Sequence, residues 1–239
     1  MNEQIIKEKW PYRAKKWPFR IVEEKLREAD FFLRKLTDCD FMEEGPSYYF
    51  SAFLSAARSV TFSMQAALKD MEGFDEWYGT IREKLRGNEL AQFFLKARNE
   101  SQKEGKYHLK MSKFYMGETS FHFFGDEKWP IGGDVAITSR HYMRILMRIV
   151  FDCYTEFGPK INPYAYYTVS NMKKMNKSIE EMEDDAGIPR GTTTGIFKKE
   201  RMRQLRKYYV GLEDHWNTPI DDLICKYIGS HFVSSRAKF

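Results

Sequence analysis

The stretch SYYFSAFLSAARSVTFSMQAALKD, residues 47–70, decides the fold. One face of it repeats at spacings of three and four, the period of an amphipathic α-helix, and is formed by Phe50, Leu54, Ala57, Thr61, Met64 and Leu68. A second face has serine at every fourth position, at Ser51, Ser55, Ser59 and Ser63. Small side chains let a neighbouring helix approach closely. This helix is therefore predicted to lie at the centre of a helical bundle.

The flanking segments supply helices that can surround it. Residues 19–38 carry one apolar stripe, made of Val22, Leu26, Ala29, Leu33 and Leu36. Gly73 separates the central helix from a shorter one over residues 74–87. Asn88 is a good N-cap for a helix over 89–105, and Ser139 begins another that Gly158-Pro159 should end. The sequence therefore predicts a mainly α protein, an up-and-down bundle of about four long helices.

Three segments lie outside this pattern. Residues 107–137 contain β-prone residues around Gly117, which predicts a small β-hairpin inserted in the bundle. Residues 1–18 form a basic N-terminal arm with two Lys-Trp-Pro repeats. Residues 159–239 are predicted to form a helical C-terminal extension. The bundle itself should then span residues 19–158.

Composition limits the functional class only loosely. The 239 residues include 42% hydrophobic side chains and have a net charge of +5, which permits nucleic-acid binding without requiring it. The three cysteines are scattered singly, which predicts buried free thiols in a reducing compartment. The charged N-terminal residues lack the apolar segment of a signal peptide, and no apolar run reaches the ~18 residues of a membrane span. We therefore expect a soluble, cytoplasmic protein without a membrane partner.

Arg98 and Asn99 are the first candidate site residues. They lie near the end of the 89–105 helix, at the edge of its buried face. In residue type and position this pair resembles the Arg-Asn motif of the HEPN superfamily of helical bundles. The resemblance implies a homodimer and, as in many members, a metal-independent RNase. In such an enzyme the Arg approaches the phosphate, and a His assists attack by the ribose 2′-hydroxyl.

The His of that motif is missing from the expected place. Its spacing would put it at Lys103, Glu104 or Gly105. The nearest histidine is His108, which follows the glycine that should end the helix and could fold back toward the pair. Lys103 can hold phosphate, but a lysine stays protonated unless it is strongly desolvated. We therefore expect the site to have kept phosphate binding and to have lost catalysis, and no catalytic residue is assigned.

Two alternatives stay open around this motif. Arg98 and Asn99 could be a nucleic-acid site, or a polar helix end in which the arginine favours the helix dipole. Arg58 is the first basic residue of the central helix, set among small side chains. It could be a surface residue or a half-buried cation directed at a cleft.

A second candidate lies in SIEEMEDDAGIPRGTTTGIFKK, residues 178–199. This segment is similar to the helix-turn-helix of bacterial transcription repressors. The resemblance implies that Ala186-Gly187 ends the first helix and that Gly191-Thr192 opens a recognition helix. Cations in and after the segment would then contact phosphate: Arg190, Lys198, Lys199, Arg201 and Arg203. The alternative is a helix–loop–helix hairpin packed on the bundle, whose acidic first helix and basic stretch complement each other or a partner subunit.

These features lead to one main functional hypothesis and two alternatives. The main one is a HEPN-like intracellular protein, a homodimer that binds RNA or a regulatory partner through a degenerate RNase site. The first alternative is a DNA-binding transcriptional regulator that acts through the C-terminal segment. The second is a non-catalytic scaffold or defence-system subunit. The sequence has no HExxH, phosphate-binding loop, GxSxG or paired-cysteine pattern, so no cofactor and no metal are expected.

Overall fold

The computed structural model describes residues 19–39, 45–106, 108–115, 118–123, 133–211 and 220–232. The basic arm predicted for residues 1–18 lies outside these residues, and so do residues 124–132 of the predicted hairpin segment.

Helices dominate the described chain, and the predicted mainly α fold is confirmed. In chain order the elements are α1 (Arg20–Thr37), α2 (Gly45–Leu68), α3 (Phe74–Arg86), α4 (Glu89–Glu104), β1 (Leu109–Tyr115), β2 (Glu118–Phe123), α5 (Val135–Ile161), α6 (Pro163–Tyr166), α7 (Val169–Lys174), α8 (Ile179–Ala186), α9 (Lys198–Gly211) and α10 (Asp221–Tyr227). Within these elements, no helix has the length and apolar character that a membrane crossing needs.

Helices α1 and α2 form the centre of the bundle. Every residue of the predicted stripe of α1 is buried, and so is every residue of the predicted apolar face of α2. At the start of the serine face of α2, Ser51 Oγ shares a hydrogen bond of 2.9 Å with Ser101 Oγ of α4. Phe50 and Phe53 of α2 pack on Phe94 of α4. The Ser51 bond and these rings thus hold α4 against the first half of α2.

Helix α4 has the ends that the sequence predicts. The Asn88 side chain accepts a hydrogen bond of 2.9 Å from the backbone N–H of Ala91. At the other end Gly105 has φ +64°, a left-handed conformation that glycine adopts without a steric penalty. These two caps fix where Arg98 and Asn99 stand in the last turns.

Helix α5 is longer than predicted at both ends. It begins at Val135, where the Asp134 side chain accepts a 2.8 Å hydrogen bond from Ile137 N–H, so the expected start at Ser139 is wrong. It also continues through Pro159 to Ile161, so the expected end at Gly158-Pro159 is wrong. A proline inside a helix costs about 3 kcal/mol. Burial of Phe157 and Ile161, each worth about 1.5–3 kcal/mol, offsets that cost.

The predicted β-hairpin is confirmed and is short. Strands β1 and β2 pair antiparallel, with Tyr115 opposite Glu118. Phe123 at the end of β2 packs edge-on against Phe50 and Phe93, with ring centres 5.6 and 5.0 Å away. The hairpin therefore covers the end of the bundle where α2 begins.

The buried residues form two clusters. The larger one unites the bundle with α10, which contributes Ile220, Leu223, Ile224 and Tyr227. The smaller one joins α6 to α9 and consists of Tyr166, Tyr167, Met172, Ile179, Met182, Ala186, Ile188, Met202 and Leu205. Helix α10 is tied to α1 through Asp30, which accepts bonds of 2.6 Å from both Lys226 Nζ and Tyr227 Oη. The last described helix thus returns to the first.

The cysteines depart from expectation at one position. Cys39 and Cys153 are buried, as predicted for free thiols, but Cys225 is exposed. Helix α10 turns Leu223, Ile224 and Tyr227 toward the bundle, which leaves Cys225 on the opposite, solvent side.

Candidate nucleic-acid interfaces

Arg98 and Asn99 lie in the last two turns of α4 and are both half-buried. Arg98 Nη1 donates to Asn99 Oδ1 at 3.3 Å. Arg98 Nε is buried and has no hydrogen-bond partner among the described residues. A buried N–H without an acceptor costs about 1–3 kcal/mol. The end of α4 therefore holds a cation with unused hydrogen-bonding capacity.

An aromatic stack joins α4 to α5 near this cation. Phe94 lies on Tyr142 with ring centres 4.3 Å apart and planes only 4° apart. Burial raises the pKa of Tyr142 to about 12, while the charge of Arg58 on α2 acts in the opposite direction. Arg58 is half-buried, lies 4.1 Å from the ring centre of Phe62 and donates to Thr61 Oγ1 at 3.2 Å. Arg58 is thus a cation held over a ring beside the stack.

Arg98 follows Phe94 by one helical turn on α4, and Arg58 acts electrostatically on Tyr142, the other ring of the stack. A long helical side chain lies over the turn that precedes it, which directs Arg98 toward Phe94. Two guanidinium groups cannot bond to each other, because both are donors only. An anion that accepts hydrogen bonds is the natural partner for either group.

His108 does fold back onto α4, but as a structural group. It is only 7% exposed, and its Nε2 lies 3.0 Å from the backbone oxygen of Ala97 and 3.8 Å from Glu100 Oε2. Burial lowers the pKa of His108, and this outweighs the opposing effects of Ala97 and Glu100. The ring is therefore neutral near pH 7 and donates from Nε2 to a carbonyl. Lys103, which stands where the RNase motif needs its histidine, is exposed at the end of α4.

The second candidate segment begins as predicted and then differs. Ser178 and Glu181 form a capping box at the start of α8, and Gly187 ends that helix with φ +70°. No helix opens at Gly191-Thr192; residues 188–197 are turns, and α9 begins at Lys198. Gly191 and Gly195 have φ +82° and +84°, backbone conformations that interrupt a helix. The expected start of the recognition helix is therefore wrong, and a long loop takes its place.

Glu183 of α8 holds this loop in place through hydrogen bonds. Its side chain is fully buried, and it accepts hydrogen bonds from Gly191 N–H at 2.5 Å, from Thr193 N–H at 2.8 Å and from the Thr193 hydroxyl. Burial alone would raise the pKa of Glu183, but these bonds and the contact with Arg201 hold the pKa below its usual value. Glu183 is thus ionised at neutral pH and fixes the loop to α8.

The predicted basic residues divide into two groups. Arg201 is 12% exposed and bonded to Thr193 Oγ1 at 2.6 Å and to Glu183 at 3.3 Å, and Arg190 is bonded to Asp184 at 2.9 and 2.6 Å. These two cations already have carboxylate partners. The other three point outward: Lys198 and Lys199 are exposed, and Arg203, 60% exposed, pairs on the surface with Glu200 at 3.2 Å.

The sequence patterns did not predict the exposure of one residue, Phe197. Phe197 is 90% exposed, whereas the other exposed large apolar side chains of the described chain lie between 43% and 59%. The available signal was local: a phenylalanine directly before Lys198-Lys199 that belongs to no apolar period. The partners of Glu183 had no signal, because their spacing follows no helical or strand repeat.

Metal binding has no structural support in the described ranges, where no group of three or more His, Cys, Asp and Glu side chains is placed to hold an ion.

The comparisons with known proteins identify a family. A family model described as "Bacteriophage lambda protein ea47" matches residues 13–202, most of the 239-residue chain. The match includes Arg98 with its surroundings and the loop braced by Glu183. No curated protein and no solved structure matches the chain. The chain thus belongs to the family described as bacteriophage lambda protein ea47.

Proposed function

We propose that the protein is a HEPN-like, cytoplasmic RNA-binding protein that holds RNA phosphate at Arg98 without cleaving it. The observation that carries this proposal is the half-buried Arg98, whose Nε is buried and unpartnered within the described residues. Part of the half-buried Arg98 side chain stays open to solvent, and a phosphate oxygen bound there would form a charge-assisted bond. Bonds to charged groups are worth about 1.5–3 kcal/mol, more than a neutral bond.

The absence of cleavage follows from His108. A metal-independent RNase needs a group that exchanges a proton with the ribose hydroxyl near neutral pH. His108 is buried, neutral and committed to the Ala97 carbonyl. Lys103 is exposed at the end of α4, where its ammonium group offers phosphate a positive charge.

The proposal includes a homodimer formed along α2. Tyr48 and Phe62 are 59% and 48% exposed and lie about four helical turns apart on one side of that helix. Half-buried Ser55 and Ser59 lie between them. A second copy would cover these rings and approach closely over the serines. Arg58, which lies over Phe62, would then border the interface.

The test compares RNA binding and cleavage by the wild type, Arg98→Ala and the control Arg86→Ala. Arg86 is 68% exposed on α3 and paired only on the surface with Glu83, so both variants lose one positive charge. Loss of a charge-assisted bond predicts that Arg98→Ala binds a labelled RNA about 10- to 150-fold more weakly. Arg86→Ala should bind like the wild type, and no protein should cleave the RNA in EDTA.

Two results would overturn the proposal. Equal affinity of Arg98→Ala and Arg86→Ala would remove Arg98 from RNA binding. Cleavage by the wild type that disappears in Arg98→Ala would show an active RNase. Circular dichroism of both variants checks that they are folded.

A second candidate is DNA binding through residues 178–207, favoured by the outward cations Lys198, Lys199 and Arg203. Because Arg190 is engaged by Asp184, affinity for duplex DNA should depend on these three residues more than on Arg190. The slope of log affinity against log salt should shrink by about 0.9 for each lysine removed. An unchanged slope in Lys198→Ala/Lys199→Ala would exclude this function.

A further inference from the structure

The exposure of Phe197 is costly and needs a reason. Burying a phenylalanine side chain stabilises a fold, and at 90% exposure almost all of that stabilisation is forgone. Single exposed apolar residues are common on proteins, but they are usually partly covered by neighbours. Phe31, for example, is 43% exposed and packs edge-on against Phe32 at 5.3 Å.

The exposed position is held in place on both sides. Four residues before Phe197, Thr193 is bonded to the buried Glu183 through its N–H and its hydroxyl. Four residues after it, Arg201 is bonded to Thr193 and Glu183. The backbone N–H of Arg201 also donates to the carbonyl of Phe197 at 2.9 Å, as the first turn of α9. The ring therefore projects from a braced segment.

Cations surround the ring on its C-terminal side. Lys198 and Lys199 follow it directly and are exposed. Arg203, four residues after Lys199, shares its side of α9 and is 60% exposed. Arg201 serves the internal network, so among the described side chains of α9 these three are the cations available to a ligand beside Phe197.

We propose that Phe197 stacks on an unpaired base of a single-stranded nucleic acid while Lys198, Lys199 and Arg203 hold the adjacent phosphates. Aromatic rings beside basic side chains are the usual platform for single strands, because every base has a face to stack on. A duplex hides those faces inside its own stack. The proposal shares with the RNA-binding proposal only the class of partner, since it concerns a different surface.

A lipid surface or an apolar protein partner fits less well. Either would bury a patch of apolar side chains, whereas Phe197 stands between the half-buried Ile196 and two lysines. The cations balance the charge of phosphates, and one ring matches one base.

The experiment measures binding of the whole protein to a labelled single-stranded RNA of about 20 nucleotides, longer than the 4–16 that one such platform covers. The same strand is also tested annealed to its complement and as an abasic strand that keeps the phosphates. The variants are Phe197→Ala, Phe197→Leu and Phe197→Trp. Phe31→Ala is the matched control, because Phe31 is also exposed and has Arg34 and Lys35 about 6 Å from its ring.

Loss of one stacked base predicts that Phe197→Ala binds the single strand about 5- to 150-fold more weakly. Phe197→Leu should be weakened as well, because it keeps the apolar surface but loses the aromatic face. Phe197→Trp should bind like the wild type, and so should Phe31→Ala. On the abasic strand and on the duplex all variants should bind equally.

Several outcomes would overturn the inference. These are wild-type affinity of Phe197→Ala for the single strand, full rescue by leucine, or an equal loss on the abasic strand. Binding to vesicles of phosphatidylserine and phosphatidylcholine that requires Phe197, with strand binding unchanged, would replace it with a membrane contact. Arg98→Ala, measured in parallel, separates the two proposals. If only Arg98→Ala weakens RNA binding, the inference fails and the RNA-binding proposal stands; if only Phe197→Ala does, the reverse holds.

Discussion

Glu183→Gln removes the negative charge that holds the 188–197 loop, and it keeps the shape of the side chain. The carboxylate is fully buried, and its two oxygens have different partners. Oε1 accepts from Thr193 N–H, the Thr193 hydroxyl and Arg201 Nη2, whereas Oε2 accepts from Gly191 N–H. A glutamine can place its oxygen at only one of these two positions.

The structure gives the size of the effect. With its oxygen in the Oε1 position, glutamine sets its own N–H₂ against the N–H of Gly191 and loses that bond. One lost bond to a charged group is worth about 1.5–3 kcal/mol. Glu183→Ala loses every bond and leaves Arg201, 12% exposed, without its buried partner. Breaking a buried ion pair in this way costs about 3–5 kcal/mol.

Hydrogen exchange at the Thr193 amide is the direct assay, because this N–H is buried and bonded to Glu183. We expect its protection to fall about 10- to 150-fold in Glu183→Gln and further in Glu183→Ala. Glu156→Gln, at an exposed position of α5, is the control and should leave the protection unchanged.

Acid should act in the same way as the substitution. The pKa of Glu183 is below its usual value in the folded protein, so the unfolded chain binds its proton more readily as the pH falls. The stability that Glu183 contributes is complete above about pH 5 and is lost as the pH falls through the folded pKa. Glu183→Gln should lose this part of the acid dependence. If Thr193 protection is the same in wild type, Glu183→Gln and Glu183→Ala, the idea that a buried carboxylate braces the loop is wrong.

Two further predictions concern α10. Asp30→Asn removes the charge that holds Lys226 and Tyr227, and it should lower the free energy of unfolding by about 1–3 kcal/mol in urea titration. The control is Asp222→Asn, which breaks an exposed ion pair and should lower it by less than about 1 kcal/mol. An equal loss in the two variants would contradict the prediction. Cys225 should react with a maleimide in the native protein, whereas Cys153 should react only after unfolding, because it is buried and burial also raises the pKa of its thiol. Mass spectrometry of the digested protein locates the label. Equal labelling of both cysteines in the native protein would contradict this difference in exposure.

The bundle could be predicted because its information is local and periodic. The stripes of α1 and α2 repeat every three to four residues, and such a repeat predicts a helix and its buried face whatever the details of tertiary packing. The ends of α5 could not be predicted, because Pro159 is tolerated only where tertiary burial offsets its cost. In the local sequence a proline predicts the end of a helix, but the packing of Phe157 and Ile161 stabilises α5 past Pro159.

The candidate sites were predicted in part. The position of Arg98 at the end of α4 follows from Asn88 and Gly105, which cap that helix. The role of His108 does not follow, because its contact with Ala97 depends on how the chain turns after the helix. The helix-turn-helix resemblance started a helix within the loop after α8, and this start was wrong for a similar reason. Its path is set by a buried Glu183 whose partners lie eight and ten residues away, at no regular period.

The bond between Asp30 and α10 also sets an order of assembly during synthesis. The partners of Asp30 follow it by 196 and 197 residues. At about 5–20 residues per second, the ribosome takes roughly 10–40 s to reach them after Asp30 has been made. For that time the Asp30 carboxylate lacks these partners, and the core of the bundle lacks Leu223, Ile224 and Tyr227. Helix α1 thus emerges before the other described helices and is among the last of them to be completed, and a nascent chain stopped before Ile220 should leave this part of the core open to chaperones.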